Sequence, residues 1–129
     1  MIYIALTGIA RHVMKELLAA RIRTVEIRSP NNFFTLLNVQ PGDRIFITEA
    51  SAPDVQPGTS GLITSVRGIQ RITHRVIQSS EDYYEESEAQ AARAQLQLVA
   101  VGRVRKVAAH ERGTPMMLDV DEVRYCDAR

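Results

Sequence analysis

The chain has 129 residues, 45% of them hydrophobic and 24% charged, which is the composition of an ordinary globular domain. The single cysteine, Cys126, excludes an internal disulfide and a multi-cysteine zinc site. No apolar run approaches the roughly 20 residues that cross a bilayer, and the first residues lack a basic leader. We therefore expect one domain over residues 1–129, cytoplasmic, with no membrane association and no cofactor.

The formal net charge of +1 hides an uneven distribution. Nearly all the cations are arginines, which favours recognition of carboxylates and phosphates but equally fits a GC-rich genome. The acids are concentrated at positions 81, 82, 85, 86 and 88, with no basic residue among them. One face of the protein can therefore be positive while another repels polyanions.

Hydrophobic patterning predicts five elements in the first half of the chain. Thr7-Gly8 is a candidate N-cap for the first helix, and Pro41-Gly42 suits a type II turn. The predicted elements are a strand over 1–6, an amphipathic helix over 9–20, a strand over 21–28, a buried turn or short helix over 33–37 and a strand over 45–48.

The second half begins with a long loop over 49–61 and continues with long strands. A strand over 62–77 has a bulge at Gly68. Ser79-Ser80 is read as the N-cap of an acidic helix that runs to about Gln95. Strands over 96–109 and 116–125 complete the chain. Five or six strands and two helices indicate a mainly β, α+β fold, built as a small mixed or antiparallel barrel.

The strand at 21–28 carries the first candidate site. By the two-residue period of a strand, Thr24, Glu26 and Arg28 share one face, while Val25 and Ile27 share the other. A hydroxyl, a carboxylate and a guanidinium on one face are either the floor of a polar cleft or an ordinary solvated face. In the second case Glu26 and Arg28 form a surface ion pair worth about 0–1 kcal/mol.

The order of these features resembles that of ASCH domains, which belong to the PUA-like superfamily of small barrels. ASCH domains have a helix, a stretch of the form Gly-x-Lys-x-x-Glu-x-Arg and a Pro-Gly-Asp turn that leads into a strand. Here Glu26 and Arg28 match the pattern, Arg23 stands where lysine is usual, and Arg21 replaces the usual glycine. The chain is also similar to a group of archaeal proteins of unknown function near that superfamily.

The resemblance implies a noncatalytic module that binds RNA or a nucleotide-like ligand in a cleft between the first helix and the barrel. The ligand-binding residues that we expect are Arg23, Thr24, Glu26, Arg28 and Ser51. Some ASCH relatives are amidohydrolases that act on a modified nucleoside through a lysine in this strand. That activity is the alternative, with Glu26 as base and the hydroxyl of Thr24 or Ser51 as the activated group, but an arginine at position 23 stays protonated and cannot replace the lysine.

A basic band is the second candidate site. If the two long strands are neighbours, their arginines form one surface for a phosphate backbone; otherwise they are exposed positions of a barrel. The candidate nucleic-acid-binding residues are Arg67, Arg71, Arg75, Arg103 and Arg105. A third function, a structural or assembly domain, would expose an apolar patch around Phe33, Phe34 and Leu36. The three histidines share no ligand spacing, so no metal site is predicted.

Overall fold

The structure, a computed structural model, describes residues 1–111 and 113–126, except for the side chains of residues 74, 76, 83 and 85–89. It confirms a mainly β, α+β fold. The elements are β1 (Ile2–Leu6), α1 (Arg11–Ala20), β2 (Ile22–Ile27), α2 (Pro30–Leu36), β3 (Arg44–Ile47), a short 3-10 helix (Ala52–Asp54), β4 (Ser60–Ser80), β5 (Tyr83–Ala109) and β6 (Met117–Tyr125).

The six strands form one sheet in the order β2-β5-β4-β3-β1-β6, and β5 pairs with β6 as well. Strands β1 and β3 are parallel, and all other pairs are antiparallel. Five strands (β1, β3, β4, β5 and β6) therefore form a closed ring of pairings, in which β5 has β2 as a third hydrogen-bonded neighbour. Strand β2 adds to β5 alone and is the edge strand of the sheet.

The core lies on both sides of this sheet. One cluster packs α1 and α2 against the strands, with Leu17, Leu36 and Ile47 among its members. The other cluster draws on all five strands of the ring and includes Phe46 and Leu118. Strand β3 is covered on both sides, and its residues Ile45, Phe46 and Ile47 are all buried. For this reason its sequence is a continuous apolar run and does not alternate between apolar and polar residues.

Two turn and bulge predictions are confirmed. Gly42 has a φ of 97°, and the Asp43 amide donates to the Gln40 carbonyl at 3.0 Å, as a type II turn requires. The β4–β5 register shifts between Val66 and Gly68, which is the predicted bulge. The candidate cap is wrong, since the N-cap of α1 is Ala10.

The acidic helix predicted from Ser79 to Gln95 is wrong. Glu81 and Asp82 instead form the turn of a long hairpin, and β5 begins at Tyr83. Alanine, glutamate and glutamine favour a helix locally, but the backbone of β4 continues to Ser80 and needs hydrogen-bonding partners, which β5 provides.

The prediction of an exposed apolar patch around Phe33, Phe34 and Leu36, which an assembly function would need, is wrong in part. Leu36 is buried and Phe33 packs against the core, whereas Phe34 is exposed. Helix α2 therefore turns its apolar side inward, as an amphipathic surface helix does.

Candidate functional site

Strand β2 has the predicted alternation. Val25 and Ile27 are buried, whereas Thr24, Glu26 and Arg28 are exposed. The Arg28 Nη2 donates to the two Glu26 carboxylate oxygens at 3.3 and 3.4 Å. The predicted pair is therefore formed, in a setting open to water.

A pocket of about 340 Å³ lies along β2, between the start of α1 and the start of α2. Because β2 is the edge strand, residues from both of its faces reach this pocket. Its charged and polar lining residues are His12, Arg23, Glu26, Arg28, Ser29 and Asn32. The family resemblance implies a cleft beside the first helix, and a pocket lies there.

Asn32 fixes the wall of the pocket that leads into α1. Its side chain is 6% exposed, and its amide donates to the Thr7 carbonyl at 2.7 Å while its oxygen accepts from the Thr7 amide at 3.2 Å. The Gly8 and Ile9 amides are bonded to the Ala50 and Thr48 carbonyls. The turn before α1 is therefore held on two sides, and Gly8 supplies the φ of 65° that the turn needs.

The N-terminus of α1 opens into this pocket. No side chain caps Ala10, and the first turn of the helix contains no acidic residue. The amides of a first helical turn carry a partial positive charge and favour anions. The Gly8 and Ile9 amides are already bonded to carbonyls, so the backbone donors at the pocket are those of the first helical turn, with Ala10 and His12 in the lining beside the cationic side chains.

The cations in the pocket have different partners. Arg23 forms an ion pair with Glu16 of α1, and Arg28 forms one with Glu26. His12 is the second residue of α1 and is exposed. An anion that enters the pocket competes with single carboxylates and meets two guanidinium groups, which suit bidentate binding of a phosphate.

Two predicted ligand residues lie outside the pocket. Thr24 is exposed and does not line it. Ser51 lies in a separate depression with Arg11 and Glu49, and its hydroxyl donates to the Asp54 carboxylate at 2.7 Å. The catalytic arrangement considered for an amidohydrolase, with Glu26 beside a Thr24 or Ser51 hydroxyl, is therefore not assembled around one pocket.

The predicted basic band is divided by the strand register. Strands β4 and β5 are neighbours, but Arg71 pairs with Ala92 and Arg75 with Glu88, whereas Arg103 pairs with Ser60. Arg105 lies farther still along β5. Arg71 and Arg75 thus lie toward the opposite end of the hairpin from Arg103 and Arg105, because antiparallel strands run their sequences in opposite directions. Arg67 lies between them and donates to the Gln97 side chain, so the five arginines do not form one compact surface.

The sequence does not predict the place of Asn32 or of Arg93. Arg93 lies directly opposite Glu26 on β5 but outside the pocket lining, in a segment for which the sequence predicts a helix. Asn32 reaches the site through contacts with Thr7, 25 residues earlier in the chain. A strand interpretation of residues 83–95 would have found Arg93, but no local pattern indicates the role of Asn32.

A larger depression of about 460 Å³ lies elsewhere, between α1 and strands β4, β5 and β6. Its lining is mainly apolar, with Met14, Leu18 and Val123, and it has Glu49 and Arg124 among its charged members. We assign the candidate site to the pocket of about 340 Å³ along β2, because charged groups and helix amides converge there.

Within the described part of the chain, no group of three or more His, Cys, Asp or Glu side chains is placed to hold a metal ion. None of the helices in the described ranges is both long and apolar enough to cross a membrane.

These features define a mainly β domain with a polar pocket beside its first helix. The chain belongs to a family of unknown function, since the family model described as protein of unknown function DUF473 matches residues 1–118. An uncharacterised protein of Methanocaldococcus jannaschii is 27% identical over 98 residues, which are 76% of this chain and 61% of that protein. The chain thus spans about three fifths of the length of this relative. No solved structure matches. The expected similarity to an archaeal family of unknown function is confirmed.

Proposed function

We propose that this chain is a PUA-like domain in which the ring of paired strands is a small barrel, and that the pocket between α1 and β2 binds a phosphate-bearing, nucleotide-like ligand. The observation that carries the proposal is the convergence of Arg23, Arg28 and His12 with the uncapped N-terminus of α1 on one pocket. Helix amides and guanidinium groups are the donors that bind phosphate oxygens in proteins.

The size and the remaining polar groups of the pocket support the same ligand class. Its volume of about 340 Å³ lies at the lower end of the range of about 300 to 1,000 Å³ typical of small-molecule sites, which suits one nucleotide. The carboxylate of Glu26 accepts hydrogen bonds and can therefore bind the exocyclic amino group of a base. RNA and a free nucleotide share this chemistry, and in the RNA case the pocket holds one nucleotide of the strand.

The proposed role is binding rather than catalysis. Arg23 stays protonated and cannot accept a proton as a base. The hydroxyls of Thr24 and Ser51, the candidate nucleophiles, lie outside the pocket that Glu26 lines.

A thermal-shift screen tests the proposal with nucleosides, nucleoside monophosphates and short single-stranded RNAs. A ligand at 100 times its Kd should stabilise the fold by about 2.7 kcal/mol. We expect monophosphates or RNA to raise the melting temperature and nucleosides to raise it far less. Arg28→Ala should remove the shift. Arg103→Ala makes the same change in charge at an exposed position outside the pocket and should retain it. Equal loss in both variants, or no shift with any phosphate-bearing ligand, would contradict the proposal.

A further inference from the structure

The depression of about 460 Å³ between α1 and strands β4, β5 and β6, which we call the apolar depression, shares no lining residue with the pocket along β2. One wall is α1, whose Met14 and Leu18 are one helical turn apart and therefore lie on one face. Leu17 is fully buried, whereas Leu18 is 43% exposed. The apolar stripe of α1 is thus wider than the part that the core covers, and the uncovered part lines the apolar depression.

Strand β6 forms another wall through a bulge. The β5–β6 register shifts between Val101 and Gly102, which leaves Val123 as the extra residue of β6. Successive residues of a regular strand point to opposite faces, but a bulge re-aims the side chains around its extra residue. Val123 and Arg124 both line the apolar depression, although they are neighbours in the chain. The bulge therefore places an apolar group and a guanidinium in the same wall.

A row of three paired residues leads from the core to the open side of the apolar depression. Leu62 pairs with Val101 and Val101 pairs with Arg124, and all three line the depression. Leu62 is buried, Val101 is half-buried and Arg124 is exposed. A ligand that lies along this row places its apolar part over Leu62 and Val101 and its polar end at the Arg124 guanidinium.

The two charged groups of the lining differ in their partners. The Glu49 carboxylate accepts a hydrogen bond from the Arg11 Nε at 3.1 Å, so its charge is compensated. Among the described residues, no ion pair includes Arg124. The charge that is left to be matched is therefore one positive charge beside an apolar surface.

We propose that the apolar depression binds a small hydrocarbon-rich molecule that carries one carboxylate, with the carboxylate on Arg124 and the hydrocarbon part against the apolar residues of α1 and β6. A guanidinium binds a carboxylate through two parallel hydrogen bonds. A carboxylate carries a single negative charge, which one arginine balances. A phosphate monoester carries about two, and suits the two arginines of the pocket along β2 better than it suits the apolar depression.

The size of the apolar depression favours a small molecule over a protein partner. Its lining consists of nine residues, whereas a standard protein–protein interface has about 20 to 30 residues a side. Its volume of about 460 Å³ lies within the range of about 300 to 1,000 Å³ of small-molecule sites, which combine a mainly apolar lining with a few polar groups.

Isothermal titration calorimetry of the full chain with straight-chain carboxylates from butanoate to decanoate tests the proposal. We expect one site per chain and an affinity that rises about fourfold with each added methylene, the factor that corresponds to the burial of one methylene. Octanol and octylammonium have the same hydrocarbon chain as octanoate. Both should bind more weakly than octanoate, and octylammonium should bind most weakly because Arg124 repels it.

Two variants separate the polar from the apolar contact. Arg124→Gln should weaken the binding of octanoate about tenfold or more and leave that of octanol unchanged, whereas Val123→Asp should weaken both. Arg103→Gln and Val107→Asp make the same changes outside the apolar depression and should bind octanoate as the wild type does. All four positions are exposed, so each variant should keep the circular dichroism spectrum of the wild type.

Three results of the titrations would overturn the proposal: no saturable binding of any carboxylate, equal binding of octanoate and octylammonium, or an unchanged affinity for octanoate in Arg124→Gln. Sedimentation velocity tests a different occupant. A wild-type dimer that Val123→Asp converts to a monomer would show that a second copy covers the apolar depression, and would overturn the proposal as well. None of these results depends on whether a phosphate-bearing ligand binds along β2, since the two sites share no residue.

Discussion

At the scale of single residues, Arg21 is the backbone position under strain. It ends α1 with a φ of 70°, and its amide donates to the Leu17 carbonyl at 2.8 Å. Glycine is usual at such a helix end because a Cβ in the left-handed conformation costs about 1–2 kcal/mol. In addition, the Arg21 Nη1 is buried without a hydrogen-bond partner among the described residues.

We therefore expect Arg21→Gly to raise the free energy of unfolding by about 1 kcal/mol, measured by guanidinium denaturation. Arg21→Ala is the control, since it removes the guanidinium and keeps the Cβ. An equal gain in both variants would assign the effect to the side chain, and a loss in Arg21→Gly would contradict the account of the helix end.

Asn32 gives a second prediction at this scale. Asn32→Ala leaves the part-buried amide and carbonyl of Thr7 without their partner. It should lower the free energy of unfolding by about 1–3 kcal/mol and weaken any ligand that binds the pocket. Asn31→Ala, the same change at the exposed neighbouring position of α2, should stay within about 0.5 kcal/mol of the wild type. Equal losses in both variants would show that the hydrogen bonds of Asn32 are not the cause.

At the scale of elements, two glycines of β4 have opposite surroundings. A Cβ on Gly61 would overlap the Ile47 carbonyl oxygen and the ring of Phe46, whereas a Cβ on Gly68 would have nothing within 4 Å. We expect Gly61→Ala to destabilise the protein by about 1–3 kcal/mol or more, and Gly68→Ala to be neutral or slightly stabilising. Thermal unfolding of both variants measures the difference, and similar melting temperatures would contradict the close packing of β3 on β4.

Most elements could be predicted because their signals are local. Strand β2 alternates buried and exposed residues, and the Pro41-Gly42 turn follows from the restricted φ of proline and the free φ of glycine. Strand β5 could not be predicted in full. Its first part is rich in alanine and glutamate, and Ala92 and Ala94 are buried beside Ile27 and Val25 only because β2 pairs with them. Local composition favoured a helix there, and a partner distant in the sequence decided the outcome.

At the scale of the whole molecule, the sequence predicted the wall of the pocket that β2 forms, but not the walls that α2 and the turn before α1 form. Arg23, Glu26 and Arg28 follow from the pattern of one strand and from its likeness to a family motif. Asn32 and the turn at 8–10 join them through contacts between segments that lie apart in the chain. Ser51 was expected at the site because it lies in a long loop, but that loop lines a separate depression together with Arg11 and Glu49.

The central claim is that a phosphate-bearing ligand binds at the N-terminus of α1. The most direct test is a titration of isotopically labelled protein with nucleoside monophosphate, followed through the amide resonances. The amides of Ala10 and His12 should shift most, together with those of Arg23 and Arg28, and Arg28→Ala should weaken the response. Shifts confined to Arg103 and Arg105, or the absence of any saturable shift in the pocket, would contradict the claim.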